Sequence, residues 1–138
     1  AAAQLSALLF PYFRLRGGGS LVMISSTLAH KPIPTSAAYS SSKAAIQNLT
    51  MTLALEGAPH LIRVNCVSPG IVDTPIHRLD QLSIESREKM VEQMNAMQPL
   101  ARMGQSSDIA EAIFFLGTET NSWTTGTILN VDGGINIK

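Results

Sequence analysis

The sequence is poor in the features that mark secreted, membrane-spanning or nucleic-acid-binding proteins. It holds a single cysteine, Cys66, so no intrachain disulfide can form. The apolar run around it, IRVNCVS, reads as the setting of an ordinary buried thiol in a reducing, cytoplasmic compartment. No apolar run approaches the ~20 residues of a membrane span. The apolar start, AAAQLSALLFPYF, lacks the basic flank and small-residue cleavage site of a signal peptide, and it reads as a helix whose beginning lies upstream. Charge is scarce, at 14% of residues, and ten basic side chains cancel ten acidic ones. That balance leaves no electrostatic case for a nucleic acid or an anionic membrane as partner. It also predicts that part of the surface is covered, with oligomer interfaces as one candidate cover.

Two further shortages narrow the chemistry. His30, His60 and His77 stand far apart with no i, i+4 pair, and one cysteine cannot complete a ligand set, so no metal site is expected. The GGG at 17–19 follows a helical pattern and opens a strand. A phosphate-cradling loop does the reverse, so these glycines form a turn.

What is present is a core. Hydrophobic residues make up 45% of the chain, which excludes disorder, and 138 residues make one domain of ample size. No repeat, low-complexity tract or linker divides it. Helical periodicity runs through 1–15. SLVMISS (20–26) and IRVNCVS (62–68) are short apolar runs bounded by turn residues, the mark of buried strands. Between them Thr35 or Ser36 can cap a helix in which Ala45, Leu49 and Leu53 form one stripe, ended by Gly57 and Pro59. Residues 76–104 are polar and helical, with Met90, Met94 and Met97 on one face, as packing or as the wall of an adaptable pocket. Ser106, Ser107 and Asp108 offer caps for a last helix, with Ile109, Ile113 and Leu116 inward and Gly117 as stop. TILNVDGG closes the chain as a third strand. Apolar strands alternating with helices imply a parallel sheet in an α/β layer fold. Three strands are few, so the pattern fits the C-terminal part of a Rossmann-like doubly wound sheet with flanking helices.

One stretch carries chemistry: TSAAYSSSKAAIQ, residues 35–47. Tyr39 and Lys43 lie four apart and share a helical face, among Ser and Ala side chains that leave room for a ligand. Composition alone predicts about 0.06 such Tyr-x-x-x-Lys pairs. A unit charge about 4 Å from a developing phenolate stabilises it by about 4 kcal/mol at an effective dielectric of about 20. That is enough for a tyrosine to act as general acid or base at cellular pH. The alternative is a surface tyrosine beside a solvated lysine.

YSSSK, with MISS upstream, RVNCVSPGIVDTP downstream and GTILNVDGG at the end, resembles the short-chain dehydrogenase/reductase family over the whole chain, in order and spacing. The resemblance implies an NAD(P)-dependent oxidoreductase interconverting a ketone and a secondary alcohol by hydride transfer. Tyr39 would be the proton donor or acceptor. Lys43 would stabilise the phenolate and hydrogen-bond the nicotinamide ribose. Ser26 would orient the substrate oxygen; Ser25 is its rival, and the spacing from Tyr39 favours Ser26. Pro69 and Gly70 would approach the nicotinamide ring, Val72 would bind the carboxamide through its backbone, and Thr74 would assist through its hydroxyl. Ser26 and the 69–74 turn would then lie at carboxyl ends of adjacent strands, where open α/β sheets bind ligands.

The resemblance also implies a homodimer or homotetramer, and residues 75–104 as the substrate-binding lid. Met90, Met94, Met97 and Met103 in that segment point to an apolar or variable carbonyl or alcohol substrate. Whether NAD or NADP is used rests on residues outside this sequence, with NADP slightly favoured. The family's opening strand, its Gly-rich turn and an Asn-Ala-Gly segment are absent from residues 1–138, and its catalytic asparagine would fall just ahead of Ala1. The chain is therefore expected to be a truncated catalytic domain that is inactive alone. The runner-up is a non-catalytic relative that serves subunit assembly.

Overall fold

A computed structural model describes all residues, 1–138. The elements run α1 (Ala2–Leu15), β1 (Gly19–Ile24), α2 (Ala37–Gly57), β2 (Ile62–Pro69), α3 (Ile84–Met97), α4 (Ser106–Gly117) and β3 (Ile128–Val131). The three strands form one sheet in the order β1-β2-β3. Both pairings are parallel, from Gly19↔Ile62 to Ile24↔Val67 and from Cys66↔Ile128 to Pro69↔Val131. This is the parallel α/β architecture the alternating pattern predicts.

β2 is the central strand, and its sequence shows why. Ile62, Val64, Cys66 and Val67 are fully buried, as a strand covered on both faces requires. Asn65 is fully buried too, but neither end of its amide is wasted. Its Nδ2 donates to Thr124 O at 2.9 Å, and its Oδ1 accepts from Thr127 N at 3.2 Å. This amide pins the approach to β3. Phe10 of α1, Met23 of β1 and Ala54 of α2 complete the core around Ile62, Val64 and Cys66.

Three local expectations shift. In α2 the stripe is rotated: Leu49 and Leu53 do pack against the core, but Ala45 is exposed. The buried positions are Ser40, Gln47, Thr50, Ala54 and Gly57. Small and polar side chains face the sheet because the helix approaches it closely. A Cβ on Gly57 would stand 2.8 Å from Ile62 O. In α4 the cap is Gln105, one residue before the expected serines, and Asp108 closes a reciprocal capping box with it. A capping box needs an acceptor at both ends of the first turn, and Gln105 with Asp108 supplies that spacing. The 76–104 stretch is not one helix; two 3₁₀ turns, Pro75–His77 and Leu79–Gln81, precede α3.

The GGG turn does end α1. Gly17, at φ +79, takes the left-handed position after the helix, where glycine avoids the Cβ penalty. No helix is long and apolar enough to cross a membrane, and no three His, Cys, Asp or Glu side chains stand close enough to hold a metal. The outer faces of α1 and α4 are apolar: Leu8, Leu15 and Phe114 are each at least 75% exposed.

Candidate active site

The carboxyl ends of β1 and β2 open into a cavity of about 1360 Å³. Ser26, Tyr39, Lys43, Pro69, Gly70, Val72 and Thr74 all line it. Ser26 sits just past β1, and the Pro69–Gly70 turn ends β2. The strand ends therefore deliver the site, as the position of ligand crevices in open α/β sheets leads one to expect.

Adjacent serines divide two tasks. The Ser25 hydroxyl donates to Lys43 O at 2.9 Å, which fastens the α2 backbone to the end of β1. The Ser26 oxygen accepts from Leu28 N at 3.2 Å and caps the short turn that follows. The Ser26 hydroxyl proton is given to no group in the chain, so it remains available to a ligand.

Lys43 is held by the same strand end. Its Nζ donates to Ile24 O at 3.1 Å and stands 5.6 Å from the centre of the Tyr39 ring. Tyr39 is 44% exposed, so solvent partly screens the ammonium from the ring. Tyr39 and Lys43 share one face of α2, and that face borders the cavity.

The 69–74 turn is clamped from two sides. Gly70 N donates to Val131 O at 3.0 Å, which ties it to β3. Val72 pairs with Gly104 in an isolated bridge, with Gly104 N on Ile71 O and Asp73 N on Gly104 O, both at 2.9 Å. The carbonyl of Val72 accepts from Thr74 Oγ1 at 3.4 Å and contacts His77 Nε2 at 2.9 Å. Its N–H donates to no group in the chain. A free N–H beside a threonine hydroxyl suits a carboxamide. Together with the Lys43 ammonium, this donor set fits the nicotinamide-ribose end of a dinucleotide.

Met90, Met94 and Met97 line the same cavity, joined from α3 by Gln93 and Ala96, whereas Met103 is buried in the core and is not part of its wall. The methionine face is thus a cavity wall, the second of the two readings its spacing left open. The sequence reading missed the C-terminal tail: Ile135, Asn136 and Lys138 form part of the wall, and Lys31 joins them from the loop after β1. A signal for the tail was available. β3 is parallel to β2, so whatever follows it must emerge at the same end of the sheet. His77, weighed only as a metal ligand, also lines the cavity.

A parallel α/β sheet with a ligand crevice at its strand ends defines the general class. Comparison with known proteins defines the family. The family model described as enoyl-(acyl carrier protein) reductase matches residues 2–136. Human dehydrogenase/reductase SDR family member 4 is 39% identical over 134 residues, covering 97% of this chain and 47% of that protein. The 4-formylbenzenesulfonate dehydrogenase of Comamonas testosteroni is 40% identical over 127 residues, covering 92% and 50%. Among solved structures, the aldohexose dehydrogenase of Thermoplasma acidophilum superposes with a TM-score of 0.90 at 33% identity, over 96% of this chain and 54% of that one. The chain belongs to the short-chain dehydrogenase/reductase family. It spans about half the length of the curated relatives it matches.

Proposed function

We propose that this chain supplies the catalytic and substrate-binding part of an NAD(P)-dependent oxidoreductase that interconverts a ketone and a secondary alcohol. The observation that carries the proposal is the convergence of Ser26, Tyr39 and Lys43 with the 69–74 turn on one cavity. L-sorbose reductase from Gluconobacter frateurii, solved with NADPH and L-sorbose, superposes with a TM-score of 0.89 at 29% identity over 97% of this chain and 53% of that one. Together with the NADP-bound ElxO structure, it supports a nicotinamide cofactor for this reading.

In the reductive direction a nicotinamide held by these residues would supply the hydride. The chain's own residues do the rest. The Ser26 hydroxyl, its proton uncommitted, donates to the carbonyl oxygen and fixes its orientation. Tyr39 gives up its phenolic proton to that oxygen as negative charge develops there. Lys43, held by Ile24 O, stabilises the resulting phenolate and offers its remaining protons to a ribose hydroxyl. Val72 N–H and the Thr74 hydroxyl would hold the carboxamide, with Pro69 and Gly70 beside them in the same turn. Residues 75–104 cover the substrate and present Met90, Met94 and Met97 to its apolar part. The exposed apolar faces of α1 and α4 support assembly into a homodimer or homotetramer.

The test joins this chain to the upstream half of a matched relative and follows NADPH consumption with a panel of ketones. Tyr39→Phe should lower turnover by about 100-fold or more while NADPH affinity stays nearly unchanged. Retained turnover refutes the role of Tyr39. The 138-residue chain alone should show no dehydrogenase activity, because it presents only the nicotinamide end of a dinucleotide site. Saturable NADPH binding by the isolated chain would overturn that expectation.

A further inference from the structure

Gly104 commits both of its backbone groups to the 69–74 turn. Its N–H donates to Ile71 O and its carbonyl accepts from Asp73 N, each at 2.9 Å. Ile71 O and the Val72 N–H belong to one trans peptide unit, whose planarity makes them point in opposite directions. The bond from Gly104 to Ile71 O therefore sets the direction of the Val72 N–H, the unpaired donor of the site. Gly104 has no side chain to hold it in place, and its neighbours do so instead.

The Arg102 guanidinium donates from Nη1 to Met103 O at 2.9 Å and to Asp108 Oδ2 at 2.8 Å, and from Nη2 to Asp108 Oδ1 at 3.2 Å. Asp108 Oδ2 also accepts from Gln105 N at 2.7 Å. Met103 O shares a peptide unit with the Gly104 N–H, and Gln105 N shares one with Gly104 O. The ion pair thus grips both peptides of Gly104 at the ends that face away from the turn. A hydrogen bond at one end of a peptide strengthens the one at the other. Arg102 therefore improves the Gly104 N–H as a donor, and Asp108 improves Gly104 O as an acceptor. The two side chains are 54% and 34% exposed, and a pair so exposed adds little to global stability. Neither residue lines the cavity.

We propose that Arg102 and Asp108 are positioning residues for the cofactor end of the site, aiming the Val72 N–H through the two peptides of Gly104. This rests on reading the 69–74 turn as the seat of the nicotinamide carboxamide. The pair touches neither substrate nor cofactor and takes no part in proton transfer. Its effect falls on cofactor binding, because Tyr39 and Lys43 stand on α2 and are held by other bonds.

The first test is amide hydrogen exchange of the 138-residue chain, followed by NMR. In Arg102→Met the Asp73 and Gly104 amides should exchange about fivefold faster relative to the Cys66 amide, which donates to Thr127 O within the sheet. Arg102→Lys should restore part of the protection, because an ammonium lacks the planar fork. Asp108→Asn keeps an oxygen for Gln105 N but loses the charge, and it serves if circular dichroism shows Arg102→Met unfolded. The second test uses the joined protein described above, in which Arg102→Met should raise KM for NADPH about fivefold and leave kcat unchanged, the mark of lost uniform binding. Exchange that quickens equally at Cys66 means the pair only stabilises the fold, and overturns the inference. Unchanged exchange at Asp73 and Gly104 overturns it too, and leaves the oxidoreductase reading standing. Selective exchange with an unchanged KM overturns the carboxamide role of the turn and the inference with it. An unaltered joined protein that consumes no NADPH with any ketone overturns the oxidoreductase reading and everything resting on it.

Discussion

Gly70 is where the cavity floor meets β3, and replacing it with alanine tests that junction. Its φ is not left-handed, so the demand for glycine comes from proximity. A Cβ at this position would stand 2.7 Å from Asp132 Cα, 2.9 Å from Asp132 O and 3.0 Å from Asp132 Cβ. Asp132 cannot swing away. Its carboxylate accepts from Gly134 N at 2.9 Å and from Asn136 N at 3.2 Å, and the adjacent Val131 O accepts from Gly70 itself. Overpacking of this kind costs about 1–3 kcal/mol. An unfolding entropy of about 2.1 cal/mol/K per residue makes each kcal/mol worth about 3 °C in a chain this long. Gly70→Ala should therefore lower the melting temperature by about 3–10 °C, read by circular dichroism. Gly117→Ala is the control: it ends α4, and nothing lies within 4 Å of its added Cβ. There alanine should raise stability by up to about 1 kcal/mol. A Gly70→Ala protein that melts no lower than the unaltered chain would refute the close approach between β2 and β3.

Arg63 donates to Leu116 O, Thr118 O and Thr124 O at 2.8, 2.9 and 3.3 Å, gathering the carbonyls at the end of α4. Arg63→Met should cost about 2 kcal/mol in urea unfolding, and Arg63→Lys should recover only part of it because one ammonium cannot span three acceptors. Burial pushes the Cys66 thiol up, against opposing hydrogen bonds from Ser25 and Thr50. A thiol reagent should therefore modify the folded protein no faster than it unfolds. The thiol's contribution to stability is complete below its ordinary range and is lost as pH rises from there through the raised folded value. The Arg102 guanidinium, followed by the Gln105 N–H, holds the Asp108 carboxyl below its usual range. Its contribution is present above the ordinary aspartate range and disappears as acid protonates the folded carboxylate. Asp108→Asn should flatten the acid limb of urea midpoint against pH, and an unchanged limb would refute the assignment.

The parts of the fold legible in the sequence are those where periodicity and burial coincide. β2 is covered on both faces, so IRVNCVS reads as a strand from its apolar run alone. α2 was harder, because its sheet-facing side is built from Ser40, Gln47, Thr50 and Gly57. Close packing favours small side chains there, and a hydrophobicity pattern cannot distinguish a small polar residue facing inward from one facing water. The Gln105 cap escaped for a related reason. Side-chain preference points to Ser106 and Ser107, whereas the reciprocal partner Asp108 selects the residue three places before it.

The site divides along the same line, between what one helix holds and what the sheet must assemble. Tyr39 and Lys43 are readable because one element carries both, so their spacing is their geometry. Pro69, Gly70, Val72 and Thr74 form a single turn at a strand end, and the parallel order of the sheet places them beside Ser26. Lys31 and Lys138 are more than a hundred residues apart in sequence, and no local spacing relates them. They meet only because β1 and β3 run the same way and release their following loops at the same end of the sheet. The pair proposed for proton transfer is thus written locally on α2, while the rest of the cavity wall is built from segments joined by the sheet alone.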